Sequence, residues 1–295
     1  MLSLIVNPSA GGGRAGKVLP EVQAGLSELG IEYHVERTRS LEHARELARA
    51  AADGNEIAAA LGGDGLIGAV ADVLKDCDGV LGVLPGGRGN DFARVLGIPL
   101  EARAACDVLA HGEIRRLDLG RVGASTFIGI ASCGFDSDAN RIANETKLVR
   151  GNLVYTYGAL RALWSWKPAR FEVRVDGGEP HVVSGYTVAV ANSKAYGGGM
   201  YMAPDASLED GQFDVIIVGH VPKGRFLRLL PTVFKGEHVR QPNVVVLRGQ
   251  DVHVSADRPF TMYADGDPIA ELPVTVDVLP GAVRVLVPAG PMAGR

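Results

Sequence analysis

Basic charge, cysteine, aromatic residues and long apolar runs are all scarce in this chain of 295 residues, and each shortage removes a class of function. Lys and Arg number 30 against 34 Asp and Glu, a formal net charge of -4, whereas a general nucleic-acid or anionic-membrane coat needs a strong basic excess. The three cysteines, Cys77, Cys106 and Cys133, are odd in number, far apart and without a CxxC, so they read as buried reduced thiols. Seven histidines are dispersed, with neither HExxH nor a paired metal spacing, so no zinc site is expected. No run approaches the ~18 apolar residues of a membrane span. Leu2 to Val6 lacks a basic n-region and is too short for a signal-peptide core. The expectation is a cytoplasmic protein that meets the inner membrane face, if at all, from its surface. No nucleic-acid partner is expected, and a homodimer is left open.

Glycine is abundant by contrast: 39 of 295 residues, about 13% where ~7% is usual. With 46% hydrophobic residues and no low-complexity tract, the excess belongs to loops of a globular chain long enough for about two domains. Three glycine-bearing loops each follow a strand-like apolar run. Asn7-Pro8-Ser9-Ala10-Gly11-Gly12-Gly13 follows Leu2 to Val6, and Gly62-Gly63-Asp64-Gly65 follows Ile57 to Leu61. Pro85-Gly86-Gly87-Arg88-Gly89-Asn90-Asp91-Phe92-Ala93-Arg94 follows Val80 to Leu84. In an open parallel sheet such loops gather at the carboxyl edge, where ligands bind. Glycines let the main chain approach a phosphate, and an aspartate in the turn holds Mg2+ directly or through water. A plain tight turn can also use Gly-Asp-Gly.

From Met1 to about Arg116, strand-like and helix-like segments alternate. Glu32 to Arg37 joins the strands above. Val18, Val22, Leu26 and Leu29 share one helical face, as do Ala44, Leu47, Ala48 and Ala51. Asn90 is placed to cap a helix through Leu96, and Ala102 to Ala110 forms another. This alternation predicts a doubly wound parallel sheet, an α/β domain over residues 1–116. After Leu117 the pattern becomes mostly β: Phe171 to Val175, Thr187 to Ala191, Phe213 to Val218, Val252 to Val254, Phe260 to Ala264, Val274 to Leu279 and Val283 to Val287. A β-sandwich domain over residues 117–295 is expected, with helices at Ser137 to Asn144 and Tyr155 to Leu163, and a last strand free to return to the first domain. An aromatic and basic stretch contains Lys147, Arg150, Tyr155, Tyr157, Arg161, Trp164, Trp166, Lys167 and Arg170. It reads either as a bilayer-facing surface or as packing between domains.

Gly11 to Val18 touches two phosphate-binding patterns. It nearly fits the Walker A loop, but Val18 stands where Mg2+ requires a hydroxyl. It also fits GxGxxG with Glu32 or Glu36 downstream, although Asn7 to Ala10 separates the strand from the first glycine and loosens the turn.

In order and spacing, Asn7-Pro8-x-x-Gly11, Gly62-Gly63-Asp64-Gly65 and Pro85-Gly86-x-x-Gly89-Asn90-Asp91-Phe92-Ala93-Arg94 resemble the diacylglycerol kinase catalytic domain of bacterial lipid kinases, relatives of sphingosine and ceramide kinases. Ala203-Pro204-Asp205-Ala206-Ser207-Leu208-Glu209-Asp210-Gly211-Gln212-Phe213-Asp214 is similar to the family's structural Mg2+ segment, and Asp265-Gly266-Asp267 to its DGE motif. The resemblance implies that Asn7, Pro8, Ser9, Ala10, Gly11, Thr38, Gly62, Gly63, Asp64, Gly65, Leu66, Ile67 and Gly68 line an ATP site, with Arg88, Asn90 and Asp91 on the third loop. It implies that Asp64 serves the catalytic Mg2+, that Ser207, Asp210 and Gln212 hold a second Mg2+ with Glu209 beside it, and that Asp267 is the general base. The implied activity is transfer of phosphate from ATP to a lipid hydroxyl, with diacylglycerol as the first candidate. Such a transfer requires Mg2+ on the phosphate oxygens and a carboxylate near the acceptor hydroxyl.

Three departures stand out. The family continues GGDG with Thr and then Asn-Glu, where this chain has Leu66-Ile67-Gly68-Ala69. Arg88 replaces the usual Thr, and Asp267 replaces Glu with one methylene less reach. Asp265-Gly266-Asp267 also fits a plain hairpin turn. Two alternatives remain at this stage: a nicotinamide dinucleotide kinase, which shares GGDG, and a nucleotide- or lipid-binding homologue without turnover.

Overall fold

The computed structural model describes residues 1–135, 137, 163 and 166–290. The expected helices at Ser137 to Asn144 and Tyr155 to Leu163 lie almost wholly outside them, as do Lys147, Arg150, Tyr155, Tyr157, Arg161 and Trp164.

The first half is built from β1 (Leu2–Val6), α1 (Ala10–Glu28), β2 (Tyr33–Arg37), α2 (Leu41–Asp53), β3 (Ile57–Gly62), α3 (Asp64–Leu74) and β4 (Val80–Pro85), followed by α4 (Asp91–Val95) and α5 (Ala102–His111). Its strands pair in parallel in the order β2-β1-β3-β4. Every residue of β1 is buried, which is why that strand reads as an unbroken apolar run. In α2 the small residues Ala44, Ala48 and Ala51 face the core, and the Ser40 side chain accepts the His43 amide at 3.1 Å to cap the helix. The chain leaves β1 toward β2 and returns across it to β3. The crevice at the carboxyl ends of β1 and β3 is therefore the switch point of the sheet.

The second half contains β5 (Glu113–Val122), β6 (Ser125–Phe127), β7 (Ile130–Gly134), β8 (Ala169–Val175), β9 (His181–Ala191), β10 (Phe213–Gly219), α6 (Lys223–Leu229), β11 (Val244–Gly249), β12 (Asp251–Ala256), β13 (Thr261–Ala264), β14 (Asp267–Glu271) and β15 (Val274–Val287). Its pairings are antiparallel, and its own core packs Phe127, Phe171, Tyr186 and Phe213. Val274 to Leu279 and Val283 to Val287, expected as separate segments, form one strand whose register breaks between Leu279 and Val283. The break falls at Pro280-Gly281, where Gly281 takes a φ of 55° and its amide donates to Asp118 Oδ1 at 2.7 Å. Beyond it, Arg284 and Val285 pair in parallel with β4, so the final strand belongs to both halves. Of the aromatic stretch, Trp166 is core: its ring packs against Phe135, Tyr186 and Phe260 at 5.8, 6.1 and 5.9 Å.

Candidate active site

Three glycine loops meet at the switch point. After β1, Gly11, Gly12 and Gly13 adopt successive φ values of 62°, 71° and 90°, a left-handed run that only glycine follows without strain. A Cβ on Gly11 would stand 2.7 Å from the Gly86 carbonyl oxygen, and one on Gly87 would stand 2.5 Å from Gly63 Cα. The loops after β1, β3 and β4 are thus in backbone contact. Asn7 closes the first loop by accepting from the Ser9 amide and hydroxyl at 3.2 and 2.8 Å, and the Asn7 amide donates to Leu61 across the sheet. Pro8 and Ala10 are in the same turn, with the Pro8 carbonyl against Gly16. Thr38 reaches the same edge, its amide donating to the Val6 carbonyl at 2.8 Å.

Asp64 opens α3, and its carboxylate crosses to the third loop. Oδ1 accepts the Phe92 amide at 3.0 Å and Oδ2 the Asp91 amide at 3.4 Å, so Asp64 caps α4. Asn90, expected in that role, does not fill it. It takes a left-handed φ of 51° and spends its side chain on Gly87, accepting the amide at 2.7 Å and donating to the carbonyl at 3.2 Å. Asn90 therefore shapes the loop from within. Leu66 and Ile67 are buried in the first core and their amides donate to the Gly63 carbonyl, whereas Gly65 and Gly68 face open space. Arg88 is exposed and extends toward Gly12.

A fourth glycine loop, missed at the level of sequence although Gly197-Gly198-Gly199 is a visible run, joins from the second half. Its residues adopt φ values of 63°, 84° and 104°, and the Gly198 amide donates to Asp91 Oδ2 at 2.7 Å. Asp91 Oδ1 is buried without a hydrogen-bond partner among the described residues. Burial, reinforced by the charge of Asp64, raises the Asp91 carboxyl above the usual range against the opposing pull of the glycine amides.

Asp265 and Gly266 form the turn between β13 and β14, with φ values of 51° and 95°, so the hairpin reading of this motif holds. The Asp265 side chain turns inward and accepts the amides of Ile128, Gly129 and Ile130 at 2.9, 3.0 and 3.3 Å. Burial pushes this carboxyl up to about 7, with the Asp64 charge adding to the shift. Asp64 thus stands in electrostatic contact with both Asp91 and Asp265. Asp267 begins β14, exposed, its carboxylate without a hydrogen bond or ion pair among the described residues.

The turn from Ser207 to Gln212 hangs from β5. Asp118 Oδ2 accepts the Gly211 amide at 2.7 Å, and the Asp118 amide donates to the Leu208 carbonyl. Ser207 Oγ accepts the Glu209 amide and Asp210 Oδ1 the Gln212 amide. Glu209 faces Arg115 at 3.5 Å, and Arg248 pairs with both Asp210 and the buried Asp214, the latter at 2.8 Å. Arg248 was not singled out from the sequence; it lies on β11, which pairs antiparallel with β10 and sets Arg248 directly opposite Asp214. Among the described residues, no three Asp, Glu, His or Cys side chains are grouped so as to hold a metal ion by themselves.

The description "Diacylglycerol kinase catalytic domain" matches residues 1–122, and "YegS C-terminal NAD kinase beta sandwich-like domain" matches residues 129–287. A diacylglycerol kinase of Mycobacterium tuberculosis H37Rv is 35% identical over 296 residues, covering 97% of this chain and 95% of the relative. A diacylglycerol kinase of Bacillus subtilis is 32% identical over 273 residues, covering 90% and 88%. The solved structure of a diacylglycerol kinase from Bacillus anthracis superimposes with a TM-score of 0.75 at 19% identity over 98% of this chain and 97% of that one. An NAD kinase from Archaeoglobus fulgidus in complex with ATP superimposes at 0.51, with 16% identity over 98% and 94%. These two structures share the fold.

Proposed function

The chain belongs to the diacylglycerol kinase family, and from that membership we propose an ATP- and Mg2+-dependent phosphotransferase that phosphorylates a lipid hydroxyl, with diacylglycerol as acceptor and phosphatidic acid as product. In this reading residues 1–116 bind the nucleotide and residues 117–295 the lipid. The observation that carries it is the meeting of Asp64 with the third glycine loop at the switch point, beside the partnerless Asp91 Oδ1.

The residues fit Mg2+. Burial and the charge of Asp64 raise the cost of ionising Asp91, Asp91 keeps one buried oxygen unspent, and no third ligand stands ready among the described residues. Mg2+ typically takes one or two carboxylates and completes its shell with water and substrate phosphates. Bound there, it would neutralise charge on the transferring phosphoryl group. The chain's own contribution is positional. The left-handed Gly11 to Gly13 run and the loops around Gly63 and Gly87 let the backbone approach the phosphates, and Asp64 fixes the third loop against the second. Asp265 anchors the hairpin that carries Asp267, whose exposed carboxylate, without a hydrogen bond or ion pair among the described residues, accepts the proton of the lipid hydroxyl. A base in that role contributes a factor of about 10²–10⁴.

The turn at Ser207, Asp210 and Gln212, with Glu209 beside it, offers hard oxygen ligands, yet Arg248 already neutralises Asp210. The Arg248 side chain is about half exposed, so it can swing aside for a second Mg2+. No catalytic step depends on that ion here.

The test is ADP release with Mg-ATP and mixed micelles containing diacylglycerol, comparing wild type with Asp64→Ala and Asp267→Ala. Lipid-dependent release, abolished by the first substitution and cut by the second, supports the reading. Release that needs NAD in place of lipid, or ATP binding without release across a lipid panel, would overturn it.

A further inference from the structure

We propose that residues 221–240, together with Tyr201, form a membrane-docking face that seats the protein on a bilayer containing anionic phospholipid. The proposal rests on the lipid-kinase reading above. In a chain of net charge -4, this segment carries Lys223, Arg225, Arg228, Lys235 and Arg240 against the single acid Glu237. All five bases are exposed, and Arg225, Arg228, Lys235 and Arg240 have no ion pair among the described residues. The helix α6 buries none of its residues. Beside the bases, Phe234 is 54% exposed, Leu227 42% and Tyr201 41%, large apolar side chains held in water. Isolated exposed leucines are ordinary, but aromatic and leucine side chains among unpaired bases match the chemistry of a headgroup layer: apolar groups enter the acyl boundary and the cations meet lipid phosphates.

The face is held rigidly from behind. Phe226 stacks on Tyr186 at 4.1 Å, Val233 is buried, and the His238 ring lies 3.0 Å from the Met202 carbonyl.

Its location couples it to the site. The Tyr201 amide donates to the Val233 carbonyl at 3.0 Å, while Gly198, three residues earlier, donates to Asp91. Three residues of extended chain span at most about 10 Å. A bilayer resting on Phe234 and Tyr201 would present lipid headgroups at the mouth of the crevice, and a lipid would not have to leave the membrane to present its hydroxyl.

Sedimentation with phosphatidylcholine vesicles, with and without phosphatidylglycerol, tests this in the absence of nucleotide. Wild type, Arg225→Glu/Arg228→Glu and Leu227→Ala/Phe234→Ala are compared, with melting curves to verify folding. Wild type is expected to bind the anionic vesicles and to be released by high salt. The charge reversal is expected to weaken binding by at least about 30-fold, the loss of two basic attractions, with the two new carboxylates adding repulsion. Turnover of a monomeric short-chain diacylglycerol should be unchanged in both variants. Equal vesicle binding by all three proteins, or none by wild type, overturns the docking face even if soluble-lipid turnover is normal. Loss of a dimer in the variants with vesicle binding intact also overturns it, and assigns the face to contact between copies. Absence of soluble-lipid turnover in wild type counts against the lipid-kinase reading instead, while vesicle binding is still read separately.

Discussion

The Asp91 carboxylate accepts the Gly198 amide at 2.7 Å across 107 residues of sequence, tying the third glycine loop to a glycine loop of the second half. This bond joins the two halves beside the switch point of the sheet. Its two ends are a carboxylate that burial would prefer neutral and a loop whose three glycines all require positive φ.

Asp91→Ala should remove that tie and leave the Gly198 amide without its acceptor. Gly198 is exposed, so water can take the place of the lost acceptor and the net loss is about 0.5–1.5 kcal/mol; a modestly lower melting temperature and a higher KM for Mg-ATP are expected. Calorimetry and initial rates measure both. An unchanged melting temperature would show that the 197–199 loop holds without Asp91.

Gly11→Ala and Gly13→Ala should differ. Both force a side chain into left-handed backbone, at roughly 1–2 kcal/mol. Only Gly11 also meets a neighbour, the Gly86 carbonyl oxygen 2.7 Å from the new Cβ, whereas nothing lies within 4 Å at Gly13. Gly11→Ala is therefore expected to be the less stable of the two and to raise KM for ATP by about tenfold or more. Equal melting curves would remove the steric argument.

The pH dependence of stability carries the mark of Asp265. Its folded carboxyl titrates at about 7 against an ordinary 3.8. Between these values the folded protein holds a proton that the unfolded chain has released. The corresponding stability is complete below about pH 4 and is lost as pH rises through about 7. Asp265→Asn should flatten this slope. Asp91 shifts in the same direction and titrates in both proteins, so the difference between the two melting-temperature profiles isolates Asp265.

Arg248→Ala should uncover the turn from Ser207 to Gln212. The buried Asp214 loses its countercharge, and the melting temperature without Mg2+ falls. Removing one competing charge should strengthen Mg2+ binding by about tenfold. Isothermal titration of Mg2+ in the absence of nucleotide reads this directly, and no binding heat in either protein would dismiss a second Mg2+ from the turn.

Much of the first half was legible because its code is local. The buried strands β1, β3 and β4 read as apolar runs ended by glycine, and the alanine face of α2 follows the helical period. Elements such as β5, β7 and β11 were not identified. The exposed half of β5 and the mixed burial of β11 give no clean alternation, and β14 begins inside a motif read for its chemistry. Leu66 and Ile67 followed the glycine loop in sequence and were assigned to the ligand. The helical turn that begins at Asp64 rotates them into the core.

By itself, the sequence determined where the chain turns, which segments are apolar on both faces, and that several glycines and aspartates stand at strand ends. Those properties follow from backbone freedom and hydrophobic period within a few residues. Tertiary structure alone decided the partners: Asp64 capping α4, Asp91 reaching Gly198, Asp265 receiving three amides of the 128–130 segment, and Arg248 occupying Asp210. A carboxylate carries no mark of which distant amide or guanidinium will meet it. That choice is made when the switch point of the parallel sheet and the shared strand β15 bring the two halves into one register.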